Sequence, residues 1–502
     1  MRKPAFIAAT VLMLFAAAVV TAGGSGSVKP KKEVCCPSPS LSVSGDIDNT
    51  EAWEDAFDDV YRTLLMNLHG PNWYFNTRYA YPSPTFRGAY LWDTAFISQV
   101  WKPWDPATAE AINRAVLDHA ENGRLNHYTG PWGTSENTQP PVMTWSVWEN
   151  YLWSNDKDNL ESAYKVLKDY NNWYYENRRL DTGLFFWIHP YESGIDNTPR
   201  FGSKDESEVA DMPNLAAIDV NSYIVRQNET LAKMAEELGR PDEAKLYRKK
   251  ADELAALVNE LMWDEDSGYY YDLETKTGEL VKIRTIASLF PLFAGIPDKG
   301  RAEIVLSHVM DPSEFNTDIP LPSVARDEEE FEKDCWRGPV WTNTAYMVIV
   351  GMERYGYNED AAELSWKLVD GIYRTHQNTG DLVEFYDPDR HDFKELSRKK
   401  GNLYKQITLG GKPRPNFVGW TGLANTIVIE HLVGFKKDKG AIMLTPNFPN
   451  TAEGASFTVE VPAEGVTIEV KAGEGGSTSG TVTFEDGTVK GFDLKRGESV
   501  EL

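Results

Sequence analysis

A chain of 502 residues with a formal net charge of −25 is long enough to bury a sizeable core and too acidic to favour nucleic acid or an anionic membrane surface. Most of its 16 Trp, 23 Tyr and 21 Phe belong to that core, yet Trp set beside Asp, Asn and Arg also suits a site that stacks sugar rings. Three cysteines do not make a disulfide framework, and the sequence has no zinc-spaced Cys/His cluster, phosphate-binding glycine loop or nucleophilic triad signature.

Arg2 and Lys3 precede an apolar run over 5–20, and small residues follow at Thr21-Ala-Gly-Gly24. Residues 1–22 therefore read as a secretory signal cleaved after Ala22, with a secreted or periplasmic destination. A retained anchor is the alternative; the run is short for a membrane span, so none is expected after cleavage. Residues 23–47, rich in Gly, Ser, Lys and Pro, read as a disordered tether that contains Cys35 and Cys36. Cys335 reads as a buried small residue.

From 48 to 437 the pattern is helical. Amphipathic segments fall at 51–68, 106–121, 160–178, 219–238, 242–262, 343–355, 359–376 and 421–432. Asp219 and Asp242 are placed as N-caps of two of them. The helices come in pairs, and between pairs lie long loops dense in Trp, Tyr, Asp and Pro. This suggests helical hairpins arranged in a ring; an open solenoid is the alternative, but no repeat of fixed period is found. From 438 to 502 the pattern changes. Phe457-Thr-Val-Glu-Val461, Val466-Thr-Ile-Glu-Val470, Thr481-Val-Thr-Phe484 and Gly491-Phe-Asp-Leu494 alternate apolar with polar, as in a small antiparallel β-module.

The chemistry concentrates in the long loops. Tyr191-Glu-Ser-Gly-Ile-Asp-Asn-Thr-Pro-Arg200 is a polar loop holding two carboxylates, Glu192 and Asp196, and the cation Arg200. Aromatic sequence at 185–189 runs into it. A carboxyl group among aromatics is desolvated, which favours its neutral form and suits it to donate a proton. Phe86-Arg-Gly-Ala-Tyr-Leu-Trp-Asp-Thr-Ala-Phe96 supplies Arg87, Trp92 and Asp93, able to donate, stack and accept around a sugar; Asp93 as a helix cap and Trp92 as core fit the local sequence equally well. Asn126, Gln139 and Trp145 follow, then Trp336, Arg337 and Trp341 around the turn at Gly338-Pro339, and Trp420. Glu384, in Leu382-Val-Glu-Phe-Tyr-Asp-Pro388, is the partner chosen for Asp196. Glycoside hydrolysis needs one protonated carboxyl for the leaving oxygen and one ionised carboxylate. The second activates water at a separation of roughly 6.5–9.5 Å, or attacks directly at about 5–5.5 Å. Composition and periodicity alone would not select this pair from 76 acidic residues.

Together these loops resemble glycoside hydrolase family 63, and more loosely the trehalases of family 37. The matching stretches are the Trp92-Asp93 loop, Gln139-Pro-Pro141, Glu192-Ser-Gly-Ile-Asp-Asn-Thr-Pro-Arg200, Trp336-Arg-Gly-Pro-Val-Trp341, Glu384-Phe-Tyr-Asp-Pro388 and Phe417-Val-Gly-Trp420. The resemblance implies an (α/α)6 toroid with its site on the loop face, and inverting hydrolysis of an α-linked glucosyl or mannosyl residue without an organic cofactor. It matches Asp196 to the general acid and Glu384 to the general base, and puts Trp92, Asp93, Gln139, Trp336, Arg337, Trp341 and Trp420 in loops lining the sugar subsite. No metal ligand set is expected, and no motif supports a structural calcium ion. A carbohydrate-binding or lyase-type protein on the same toroid is the competing reading. Three features depart from the family pattern: Ile195 stands where Trp is common, the chain is short beside the processing glucosidases with their large β-rich N-terminal domain, and 394–415 is long and basic, as a lid or substrate-specific insertion would be.

Overall fold

Apolar residues at helical spacing set the main elements. The computed structural model describes residues 34–45, 49–131 and 133–502. Helices α1 (Thr50–Asn67), α2 (Leu91–Trp101), α3 (Pro106–Leu117), α4 (Met143–Ser154), α5 (Lys157–Asn177), α6 (Ile218–Glu237), α7 (Pro241–Leu261), α8 (Lys299–Val309), α9 (Thr342–Arg354) and α10 (Asn358–Thr379) carry the greater part of the core. Short links at 102–105, 155–156, 238–240 and 355–357 join consecutive helices, whereas long irregular segments separate the pairs. Seven of the eight expected amphipathic helices are present within a few residues of their expected ends; the eighth, 421–432, is a short α turn (Leu423–Thr426) that runs into a π-helix (Ile427–Leu432) and is buried on every side. Helices α2 and α4 were not among them. Every residue of α2 is buried, so it has no polar stripe to give a helical period.

Asp219 and Asp242 do not cap their helices. Ala217 and Arg240 occupy the N-cap positions, and both aspartates lie within the first turn. There a carboxylate still meets the positive end of the helix dipole. Asp219 has a further role, described below.

The C-terminal region forms an antiparallel sheet as expected, but the sheet does not consist of C-terminal residues alone. Its order is β1 (Ser40–Ser44), β2 (Ser456–Val461), β3 (Val466–Ala472), β4 (Thr478–Phe484) and β5 (Val489–Leu494). Strand β1 lies within the expected tether, which is corrected here: Ser40 pairs with Glu460 and Ser44 with Ser456, and Leu41 and Val43 turn inward. Alternation of two apolar residues in Ser-Leu-Ser-Val-Ser is enough once a partner edge exists. The expected signal segment, tether residues 23–33 and 46–47, and residue 48 lie outside the described residues. The sheet shares the helical core through Phe457, whose ring lies 5.9 Å from both Trp53 of α1 and Trp366 of α10. No helix among the described residues is long and apolar enough to cross a membrane.

Candidate active site

The long segments between helix pairs converge on a cavity of about 100 Å³. Its aromatic wall is Trp92, Trp336, Trp341, Phe417 and Trp420. Trp336 and Trp341 stack with centroids 3.7 Å apart at 8°, and the Trp420 ring stands edge-on to Trp341 at 5.3 Å. Asp196, Glu384, Asp93 and Gln139 face the same space. So eight residues expected at a sugar site are brought together: Trp92, Asp93, Gln139, Asp196, Trp336, Trp341, Glu384 and Trp420.

Local backbone explains how. A single helical turn, Pro190–Ser193, ends at Gly194 with φ +72°, and a Cβ there would stand 2.6 Å from the Trp92 ring. Only glycine allows that approach and that φ, and the reversal delivers Asp196 to the cavity. Asn197 ties this loop to the next, its Oδ1 accepting from the Trp336 amide at 2.9 Å and its Nδ2 donating to Asp334 at 3.3 Å. Glu384 is fixed from behind, because the Trp420 indole donates to its carbonyl oxygen at 2.7 Å. Gly419 leaves room for Asp93, whose Oδ1 would lie 2.8 Å from a Cβ at that position. Burial pushes the Asp93 carboxyl well up, reinforced by Glu384 and Asp196. A protonated Asp93 both donates to and accepts from a hydroxyl.

Six expected residues do not line the cavity. Arg87 is exposed, with its Nε on the Pro84 carbonyl at 3.4 Å. Asn126 accepts from Arg124 at 3.0 Å, and Trp145 packs in the core against Phe96, Phe293 and Tyr346. Glu192 is fully buried beneath the 190–193 turn, taking Arg178 on both oxygens at 2.6 and 2.9 Å and the Ile188 amide at 3.1 Å. Arg200 is buried between Asp272, at 2.8 Å, and Asp219. Arg337 pairs with Glu330 at 2.5 Å and the Asn197 carbonyl at 3.4 Å. The turn at Gly338 thus sends Trp336 to the cavity and Arg337 away from it. These charges brace the loops, since a buried ion must find its partner within the protein.

The sequence did not single out Arg398, Lys399, His127 and Tyr90, all of which line the cavity. The two cations come from the long basic segment. Arg398 grips Glu384 with Nε on Oε2 at 2.9 Å and Nη2 on Oε1 at 3.2 Å. Lys399 donates to Asp196 Oδ2 at 2.5 Å. The only signal was the basic character of the 394–415 segment between Glu384 and Trp420; nothing local says which carboxylate each cation takes.

The charge state of Asp196 differs from the sequence expectation. Burial alone would push its carboxyl up, but Lys399, then Lys405, outweigh that and hold it below the ordinary aspartate range. Aromatic walls do desolvate the group, and an adjacent ammonium reverses the sign.

Burial also pushes the His127 imidazole down to about 4, with Lys405 and Lys399 adding to the effect and Asp196 opposing it. Its ordinary value is about 6.5. Between these pH values the unfolded chain binds a proton that the folded chain refuses. Stability on this account is full above about pH 6.5 and is lost as pH falls toward 4, by about 3 kcal/mol. His127→Gln is expected to remove that part of the acid slope, read from urea unfolding at pH 7 and 4.5; an unchanged slope would contradict it.

A family model described as the mannosylglycerate hydrolase MGH1-like glycoside hydrolase domain matches residues 87–404. The chain belongs to this family. The match spans the cavity loops from the Trp92 segment to Lys399. A mannosylglycerate hydrolase of Thermus thermophilus is 27% identical over 394 residues, covering 62% of this chain and 92% of that one. A periplasmic trehalase of Escherichia coli is 26% identical over 402 residues, covering 68% and 65%. Among solved structures, a family 63 mannosylglycerate hydrolase from Thermus thermophilus in complex with glucose superposes with a TM-score of 0.60 at 25% identity, covering 74% of this chain and 99% of that one. The chain is a glycosidase of the family 63 type, helix-rich with a C-terminal sheet.

Proposed function

We propose that this glycosidase inverts the anomeric centre as it cleaves an α-linked mannosyl or glucosyl residue from a small glycoside. Asp196 is the general acid and Glu384 the general base. The observation that carries this is the meeting of these two carboxylates, from loops far apart in sequence, in one tryptophan-walled cavity. Glu384, gripped by Arg398, is oriented to take a proton from water. Asp196 protonates the leaving oxygen while water attacks the opposite face of the ring. The tryptophans stack the sugar's C–H faces, and Asp93 and Gln139 hold its hydroxyls. No organic cofactor or metal enters this scheme. The helix pairs form an (α/α)6 toroid over 48–437, with 438–502 as an appended β-module. Processing after Ala22 releases the chain to the periplasm or outside the cell. The mannosylglycerate hydrolase and trehalase relatives support the substrate class.

The test is proton NMR of the reaction with trehalose, α-mannosyl- and α-glucosylglycerate and simple α-glycosides. The β anomer is expected to appear first. An initial α anomer would mean retention, and Glu384 as a water-activating base would be wrong.

A further inference from the structure

Lys399 has a non-glycine backbone at φ +57° inside the cavity wall. That conformation costs an L-residue about 1–2 kcal/mol and persists only where its surroundings enforce it. They do: the following amide, of Lys400, donates to both Asp334 oxygens at 3.1 Å, and the Lys399 carbonyl accepts from Asn402 at 2.9 Å and Gln406 at 3.0 Å. The ammonium is thereby aimed between two carboxylates, Asp196 at 2.5 Å and Glu206 at 2.7 Å.

Glu206 has no part in the mechanism above. It is fully buried, its Oε1 takes both Lys399 and Lys405, and its Oε2 is buried without a hydrogen-bond partner. An unsatisfied buried acceptor costs about 1–3 kcal/mol, more when charged. It is also a ready seat for a cation that lets go of its first partner.

We propose that Lys399 is a positioning residue for Asp196, and that its ammonium moves wholly onto Glu206 when the sugar binds and Asp196 takes up a proton. This rests on Asp196 being the acid. The step balances: Asp196 takes one proton from solvent and gives it to the leaving oxygen as the C–O bond breaks. Water's oxygen bonds to the anomeric carbon, its proton passes to Glu384, and Glu384 returns it to solvent. Lys399 remains an ammonium ion throughout. The other groups facing Asp196 are Lys405 at 4.0 Å, Arg398 from the same segment, His127 from the 126–139 loop, His189 and Tyr191 from the 190–193 turn, and Asp93 from α2. Lys405 also lies between Asp196 and Glu206, but only Lys399 is within hydrogen-bond distance of Asp196, at 2.5 Å against 4.0 Å.

The consequence is a split between two pH profiles. The basic limb of kcat/KM reports Asp196 in the free protein, where Lys399 holds it ionised; the basic limb of kcat reports it in the complex. The kcat limb is expected at least about one pH unit above the kcat/KM limb on α-mannosylglycerate. Lys399→Met should close that gap by raising the kcat/KM limb, Glu206→Gln should close it by lowering the kcat limb, and Lys399→Arg should keep it. On 2,4-dinitrophenyl α-mannoside, whose leaving group needs no proton, no variant should move a limb. Asp196→Asn is run on both substrates. If it is slow only on the glycerate glycoside while Lys399→Met leaves the gap intact, the acid reading stands and the Lys399 proposal falls. If it is equally slow on both, Asp196 is not the acid and both fall.

Discussion

Glu384→Gln is expected to lower kcat on an unactivated α-glycoside by about 10³-fold, with KM changed far less. A positioned general base contributes about 10²–10⁴-fold, and an amide cannot accept water's proton. The grip of Arg398 sharpens the expectation. Its two contacts fix both carboxylate oxygens, so the base is held in one orientation toward the cavity. Glu384→Ala with azide supplies the complementary check, because azide needs no deprotonation and fits where the carboxylate was. A β-glycosyl azide recovered from an α-glycoside supports Glu384 as the base. Failure of azide to restore turnover, with the fold intact by circular dichroism, argues against that role.

Arg200→Met is expected to destabilise the protein by about 3–5 kcal/mol, among the largest single losses available here. Arg200 is buried between Asp219 and Asp272, and Asp272 also accepts the Ile218 amide at 2.8 Å. Removing the cation leaves two carboxylates facing each other without water, and breaking a buried pair costs about that much. The Asp272 carboxyl is already pushed up to about 6 by burial, with Arg200 opposing and Asp219 adding. The double variant Arg200→Met with Asp219→Asn should lose less than the sum of the single losses, because the second change removes the charge that the first strands. Urea midpoints at pH 7 measure this. Strict additivity would mean that the three side chains are not coupled.

These two arginines mark where the sequence stopped being readable. The helices with one polar face, such as α5 and α7, were legible because a half-buried helix must alternate every three to four residues. Helix α2 was not, since burial all round erases the period. The cavity's tryptophans and both carboxylates stood in turn-rich loops, and their motifs carried a family likeness that local spacing lacked. Arg200 and Glu192 shared that loop and the same polar character as Asp196, yet they point into the scaffold. Only the positions of Asp219, Asp272 and Arg178 tell the two roles apart, and those partners lie outside the loop, 14 to 72 residues away along the chain. Lys399 was illegible for the same reason: it meets Asp196 across 203 residues of chain. A charge in a sequence shows that a partner is required, not which one.

Strand β1 has a consequence for the order in which the chain acquires its structure. Ser40 pairs with Glu460 across 420 residues, as the side-chain contact between them also records. On a ribosome adding about 5–20 residues per second, that edge stays unpaired for at least about 20 s after Ser40 emerges. Until then Trp53 of α1 has Trp366 and Tyr373 of α10 to pack on but lacks the Phe457 ring. Closure of so distant a pair is slow and comes only once the C-terminal strands have been made. A chaperone or a translocation machine that needs an extended polypeptide would find its time there.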